Sequence, residues 1–419
     1  MELRRQTAVT QTVVDARVLT YAGSMIQVAA GTYVESSSIV LNPGVSIDGA
    51  GAGQTILKKS NPAWAGFDPS GFLIQMTSSS FANNAATLSD FSIDGTAPSG
   101  ETKPLLGGIV IGNRGSITVN NVAFNDIYWS ALWMGYDANH PANGITVSND
   151  TFTRCGGYQN ALSEVGWWNA GDYSSAAIQP AFVQNVEIRN FSIVDSTLRT
   201  GSGTQEVNGY GIDALGSGSP RGSWSNVSIH DGTIDLYCMG GWNNGLAPNI
   251  AIEVNLVDSV QNCSIYNNTI KNNISLVHGG ASTGTTTFNI HDNAMPLYTS
   301  PAGRNGQYAL ELDFSDVIFN HNAVTGGNWA VSGFYGLNYN NANTGPRQNI
   351  TFSRNIFRGI NADWSTGTFL LTNASNVLFY NNTVDWTYTG GNAGETASTP
   401  SVFNTNSTVN GLKRRARIS

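Results

Sequence analysis

Apolar and polar residues alternate along this chain in short bursts that return at spacings of a few dozen residues. Each burst is an eight-residue pattern, apolar-x-apolar-x-polar-x-x-apolar, with Asn or Asp usual at its centre. Copies begin at Ile117 (ITVNNVAF), Ile145 (ITVSNDTF), Val186 (VEIRNFSI), Val227 (VSIHDGTI), Cys263 (CSIYNNTI), Phe288 (FNIHDNAM), Val317 (VIFNHNAV), Ile350 (ITFSRNIF) and Val377 (VLFYNNTV). The alternation predicts a short strand, and the Asn or Asp predicts a turn, because these side chains tolerate left-handed backbone and cap local turns. One such strand cannot bury its apolar face alone. Successive coils stacked about 4.8 Å apart bury a continuous core and pair their backbone groups, so the repeat predicts an all-β solenoid. Asparagines at equivalent turns, Asn121, Asn149, Asn190, Asn267 and Asn381, are expected to stack as a hydrogen-bonded ladder inside the coil. Asn226, Asn262 and Asn349 also read Asn-x-Ser/Thr, but at repeat turns the structural reading outweighs glycosylation.

A second, weaker pattern follows most copies: a short strand of small-apolar-x-apolar character with one outward position per coil. That column reads Val110, Trp133, Gln179, Asp213, Glu253, Ser275, Glu311 and Ser332. In the coil of Gln179, Ala161-Leu162-Ser163 is an alternative occupant that would leave residues 164 to 176 as a loop. If Ile212, Ala214, Ile252, Val254, Leu310 and Leu312 point inward, alternation turns Asp213, Glu253 and Glu311 outward on one face. Asn255 and Asp313 would lie one pleat further along the same strands.

Composition narrows the class. A chain of 419 residues ordinarily suggests two or three domains, but repeats share one core, so residues 24–387 are read as a single β-helix domain. Residues 1–23 are then a lead-in or cap, and 388–419 a C-terminal strand with a tail or linker. Gly 47 beside Pro 13, with 40% hydrophobic and 11% charged residues, describes a folded chain rich in turns rather than a helical or disordered one. The net charge of -8 argues against nucleic acid as a partner, since phosphates need a basic surface. Cys155, Cys238 and Cys263 are too few and scattered for a disulfide framework and are read as buried thiols. No run approaches the roughly 20 apolar residues of a membrane span, so membrane insertion is not expected. The start Met1-Glu2-Leu3-Arg4-Arg5 lacks the apolar region of a signal peptide, and the Lys413-Arg414-Arg415-Ala416-Arg417 run is read as a solvated tail.

The segments Ile26 to Tyr33 and Ile39 to Gly51 repeat the alternation with glycine-marked turns. They resemble the opening coils of the pectate-lyase-like superfamily, and the later copies resemble that superfamily's helix repeat over roughly residues 24 to 387. The resemblance implies a single-domain right-handed parallel β-helix and an extracellular location. It is specific for fold and not for activity, because the superfamily includes lyases, glycoside hydrolases, epimerases, phage tailspikes and non-catalytic surface proteins. Its galacturonan hydrolases usually carry tandem aspartates and a Gly-His-Gly turn. This chain has neither, which counts against pectin.

Three carboxylates in one column of so sparsely charged a chain repel one another, which folding does not require; the plain alternative is that outward sheet positions are simply polar. Neighbouring carboxylates raise one another's proton affinity, so one can stay protonated as general acid while the other stays ionised, the division of labour that glycosidic cleavage needs. By coil count Asp213 and Glu253 stand about 5 Å apart in backbone, while the Ser275 coil separates Glu253 from Glu311 by about 10 Å. The first spacing suits a retaining pair, and the second is near the upper limit for an inverting pair. Glu253 is therefore expected at the centre as acid or acid/base, with Asp213 or Glu311 as partner. Substrate contacts are expected from Trp133, Gln179, Trp242, Asn255, His278, Tyr308, Asp313 and Trp329, the aromatic rings as sugar platforms. The five histidines show no zinc-binding spacing.

These features predict a secreted glycoside hydrolase acting on a polysaccharide or oligosaccharide, as a monomer or trimer, with no cofactor required and calcium left open. The first alternative is a calcium-dependent lyase or epimerase, whose base would have to reach in from Lys271, Arg221 or Arg304. The second is a non-catalytic glycan-binding surface or tailspike-like protein. The lack of basic residues on the column argues mildly for a neutral glycan.

Overall fold

The computed structural model describes residues 21–60, 69–101, 105–156, 175–195, 209–214, 222–236, 250–255, 257–277, 287–297, 308–312, 314–327, 329–333, 347–361, 369–370, 374–387 and 409–410. These form a parallel β-helix. Strands run from Met25–Val28 to Thr383–Thr387, with a short strand Val409–Asn410 beyond, and every strand-to-strand pairing is parallel between successive coils. Among the described residues one 3-10 turn, Pro69–Gly71, interrupts the pattern. No helix among the described residues is long and apolar enough to cross a membrane.

The eight-residue repeat is the register of the first face. Ile117, Ile145, Val186 and Val227 lie opposite one another on successive coils. Cys263, Phe288, Val317, Ile350 and Val377 continue the column, which reaches Ala86 at one end and Val409 at the other. The side chains from Ala86 to Val377 lie in one continuous hydrophobic core along the axis. Left-handed residues bracket most first-face strands. Ser116, Gly144, Asn185, Asn226, Asn262, Asp316, Asn349 and Asn376 precede the first apolar position, and Asn121, Asn149, Asn190, Asp231, Asn267, Asp292, His321, Arg354 and Asn381 close it, all with φ near +50° to +65°. Asn and Asp adopt this backbone most readily after glycine, which explains their recurrence at both corners.

The internal ladder is displaced by one residue from its expected place. Asn149, Asn190, Asn267 and Asn381 are exposed corner residues, and Asn121 is only partly buried. The residue that follows each corner turns inward. Asn268, Asn293, Asn322, Asn355 and Asn382 occupy that position, and Asn268 through Asn355 are buried. Each Oδ1 accepts the backbone N–H of the preceding ladder member: Asn268 to Asn293 (3.0 Å), Asn293 to Asn322 (3.0 Å), Asn322 to Asn355 (2.9 Å) and Asn355 to Asn382 (2.9 Å). Each Nδ2 donates to a carbonyl of the neighbouring coil, as Asn322 does to Ile290 (2.9 Å). A flat left-handed corner leaves these backbone groups unpaired, and the carboxamide supplies both missing partners. The ladder ends at Gly232, whose N–H donates to Asn268 Oδ1; a Cβ there would meet the Phe191 ring at 2.2 Å. The sequons at Asn226 and Asn262 belong to a separate exposed ladder, Asn143–Asn185–Asn226–Asn262, linked Nδ2 to Oδ1.

By register Asp150 holds the ladder position in its own coil. Its Oδ1 accepts the Val122 N–H at 2.7 Å, but an ionised carboxylate cannot donate as an Asn amide does, and burial pushes its pKa up to about 7. The fold thus favours the neutral form. Its contribution is fully present below the unfolded value of 3.8 and is lost as pH rises through about 7. The Asp150→Asn variant should therefore melt several degrees higher than wild type at about pH 8, with the gap closing near pH 4, as read by circular dichroism. Asn322→Leu should lower stability in urea by roughly 2 to 4 kcal/mol, because it orphans the backbone N–H of Asn293 and the carbonyl of Ile290. The corner substitution Asn381→Gly should cost less than about 1 kcal/mol, since glycine accepts the left-handed backbone.

Candidate active site

The strands carrying the acids are Gly209–Asp213, Ile250–Asn255 and Tyr308–Leu312, with Asn273–Val277 between the last two. In most strands of this face the residue before the inward apolar position is small for a packing reason. A Cβ on Gly108 would lie 2.3 Å from the Ala131 carbonyl oxygen, and one on Gly211 2.5 Å from that of Ala251, so the neighbouring coil leaves no room at this corner. Beyond the corner the strands alternate. Ile109, Leu132, Ile178, Ile212, Ile252, Ile274 and Leu310 enter the main core, and the residue after each faces the other way.

That outer position forms one unbroken register. Val110 lies opposite Trp133, and Trp133 opposite Gln179. Ile178 opposite Ile212 brings Gln179 to the level of Asp213. Asp213 lies opposite Glu253, Glu253 opposite Ser275, Ser275 opposite Glu311, and Glu311 opposite Ser332. Gln179 holds this place in its coil, and residues 161–163 lie outside the described residues. The column continues beyond what the sequence pattern disclosed, to Gln75 and Val40 on one side and Leu370 on the other, where alternation is too short or too polar to read.

Asp213 and Glu253 are therefore one rung apart, about 4.8 Å in backbone, and Glu253 and Glu311 two rungs. The face is nearly enclosed: relative exposure is 1% at Asp213, 7% at Glu253, 5% at Glu311 and 0% at Gln179. In such surroundings charges interact more strongly than in water. Ser275, which the sequence identifies only as a neutral spacer, has a specific contact. Its hydroxyl donates to Glu311 Oε2 at 2.6 Å, within the range of a charge-assisted bond, and fixes that carboxylate from the middle rung.

Trp133 differs from the exposed sugar platform expected of it. It is fully buried, stacked on Phe72 with ring centroids 5.8 Å apart and packed edge-on against Trp129 at 4.9 Å and beside Tyr136. With Val110 and Leu106 these rings make a second apolar cluster, outside the main core, that caps the column's N-terminal end. Asn255, Tyr308 and Trp329 lie on described strands, with Asn255 opposite Val277 and Tyr308 opposite Trp329. Trp242, His278 and Asp313 lie outside the described residues, as do Arg221 and Arg304. Lys271 is paired with Asp235 on the adjacent coil, at 2.6 Å. Among the described residues no group of three or more His, Cys, Asp and Glu side chains is arranged to hold a metal ion.

No protein-family model matches the chain, and no curated protein matches it in sequence. Solved structures do match in shape. A mutant tailspike protein of E. coli bacteriophage HK620, in complex with a pentasaccharide, aligns with a TM-score of 0.56 at 13% identity, covering 92% of this chain and 64% of the tailspike. The Agl-KA catalytic domain aligns with a TM-score of 0.50 at 15% identity, covering 93% of this chain and 63% of that domain. This chain shares the right-handed parallel β-helix fold of these structures. It spans about 64% and 63% of the lengths of these two structures.

The packing of Trp133 yields a direct check. Trp133→Ala should destabilise the fold by about 3 to 5 kcal/mol in chemical denaturation, the cost of emptying a buried aromatic site. A ring serving only as a sugar platform would leave stability unchanged and alter binding alone.

Proposed function

We propose that the chain is a secreted polysaccharide-cleaving enzyme of the glycoside hydrolase type, with Glu253 at the centre of its chemistry. The observation that carries this reading is the register of Asp213, Glu253, Ser275 and Glu311 on consecutive rungs of the face turned away from the core, all four nearly enclosed. Burying three carboxylates on one face is costly unless they are hydrogen-bonded or paired, as Glu311 is to Ser275. The tailspike of the same fold, with its bound pentasaccharide, supports a glycan as the ligand.

In this reading Glu253, protonated, gives its proton to the glycosidic oxygen as the bond from that oxygen to the anomeric carbon breaks. An ionised partner completes the step in one of two ways. Asp213, one rung away, has the spacing of a nucleophile that forms a glycosyl ester, later hydrolysed by water activated by Glu253. Glu311, two rungs away and held by Ser275, has the spacing of a base that deprotonates the attacking water. The configuration of the first-formed product distinguishes them: retention assigns Asp213 as partner, and inversion assigns Glu311.

Reducing-end release from a panel of neutral and uronate polysaccharides, monitored alongside absorbance near 235 nm, tests the proposal. Wild type should release reducing ends without new absorbance, and Glu253→Gln should lower kcat by about 100- to 10,000-fold with an unchanged melting temperature. New absorbance would identify a lyase instead. Glycan binding with no product would identify a binding protein.

A further inference from the structure

Gln179 combines two properties that no other carboxamide among the described residues combines. Its side chain is fully buried, and neither Oε1 nor Nε2 has a hydrogen-bond partner. A buried carboxamide left in this condition costs on the order of 1 to 3 kcal/mol for each unmet group, and unlike a carboxyl it cannot relieve the cost by changing protonation. The ladder asparagines make the contrast. There every carboxamide meets a backbone donor or acceptor on the next coil. Nothing in the strand demands a polar residue at this position, because the two preceding rungs of the same column carry Val110 and Trp133.

The location gives the orphan amide a use. It lies between the buried Trp133 ring on one rung and the level of Asp213 on the next, at the boundary where the outer column changes from apolar to acidic. A primary carboxamide offers one acceptor and one pair of donors side by side. The complementary ligand presents one donor and one acceptor at neighbouring atoms without formal charge. Vicinal hydroxyls of a pyranose ring meet that description, one donating to Oε1 and the other accepting from Nε2. A sugar carboxylate does not, since it offers only acceptors and would sit beside Asp213 in an enclosed face.

We infer that Gln179 is a specificity-determining residue that binds vicinal hydroxyls of a neutral glycosyl unit in the subsite next to Asp213. This rests on the glycan-cleaving role proposed for the same face, and adds to it both the position of a subsite and the class of sugar. Because Gln179 acts on binding and not on the bond broken, its removal should act mainly on KM.

Kinetics on a panel of xylan, mixed-linkage glucan, galactan, alginate and polygalacturonate test the inference, with wild type, Gln179→Leu, Gln179→Glu and Glu253→Gln compared throughout. Wild type should cleave a neutral member. Gln179→Leu should raise KM on it by about 10- to 100-fold with kcat within about threefold, the loss of 1.4 to 2.8 kcal/mol of binding. Its melting temperature should stay level or rise, because the substitution removes an unmet polar group. Gln179→Glu should impair KM further than Leu. If Glu253→Gln is inactive while Gln179→Leu keeps the wild-type KM and melts lower, the amide is structural and this inference fails alone. Cleavage of the uronate polymers only would overturn the neutral-sugar assignment. Full activity in Glu253→Gln, or no product from any polymer, would overturn the catalytic reading on which it depends.

Discussion

Everything in this protein follows from parallel backbone pairing between successive coils. Hydrogen bonds hold adjacent strands about 4.8 Å apart and in register, so a residue at a given place in one coil stands directly over its counterpart in the next. The same constraint that builds the core from Ile117, Ile145, Val186 and Val227 also brings Asp213, Glu253, Ser275 and Glu311 together. Folding and site assembly are one event. Residues nearly a hundred positions apart in sequence meet because the number of residues per coil, however variable, always returns the chain to the same corner.

The corners are where this regularity has to be secured. Left-handed backbone on either side of the first face turns the chain sharply without a helix or a long loop, and leaves backbone groups that pair poorly. The asparagine ladder repairs this over the C-terminal coils, from Gly232 to Asn382. Where the ladder position carries Asp150 the repair is partial and depends on pH; where it carries Phe191 and Gly232 a ring replaces the amide. The acidic face therefore rests on a stack with apolar rings packed toward one end and amide ladders toward the other.

Much of this was legible in the sequence, because strand alternation and coil-to-coil repetition are both local signals. The first face could be read residue by residue, and the outer column from Val110 to Ser332 matches the observed register, including the contested place of Gln179. The asparagine ladder was misplaced by one residue. Sequence identifies Asn-Asn pairs such as Asn267-Asn268, but which member turns inward depends on the left-handed φ of the first, which composition does not reveal. The burial of Trp133 is not legible, because alternation says which face a side chain takes and not what covers that face: Phe72 arrives from another coil, and Trp129 and Tyr136 flank its own strand. The Ser275 to Glu311 bond and the unmet amide of Gln179 have no sequence signature at all, since each is a matter of a few tenths of an ångström between coils.

The central claim is that this enclosed acidic column is the place where a glycan is held. The most direct measurement is a crystal structure of the Glu253→Gln variant with an oligosaccharide selected from a glycan-binding screen. The account predicts ring density across the rungs of Asp213, residue 253 and Glu311, with a glycosidic oxygen within hydrogen-bonding distance of the residue 253 side chain. An oligosaccharide bound along the asparagine corners or on the first face, with the acidic column unchanged and empty, would contradict it.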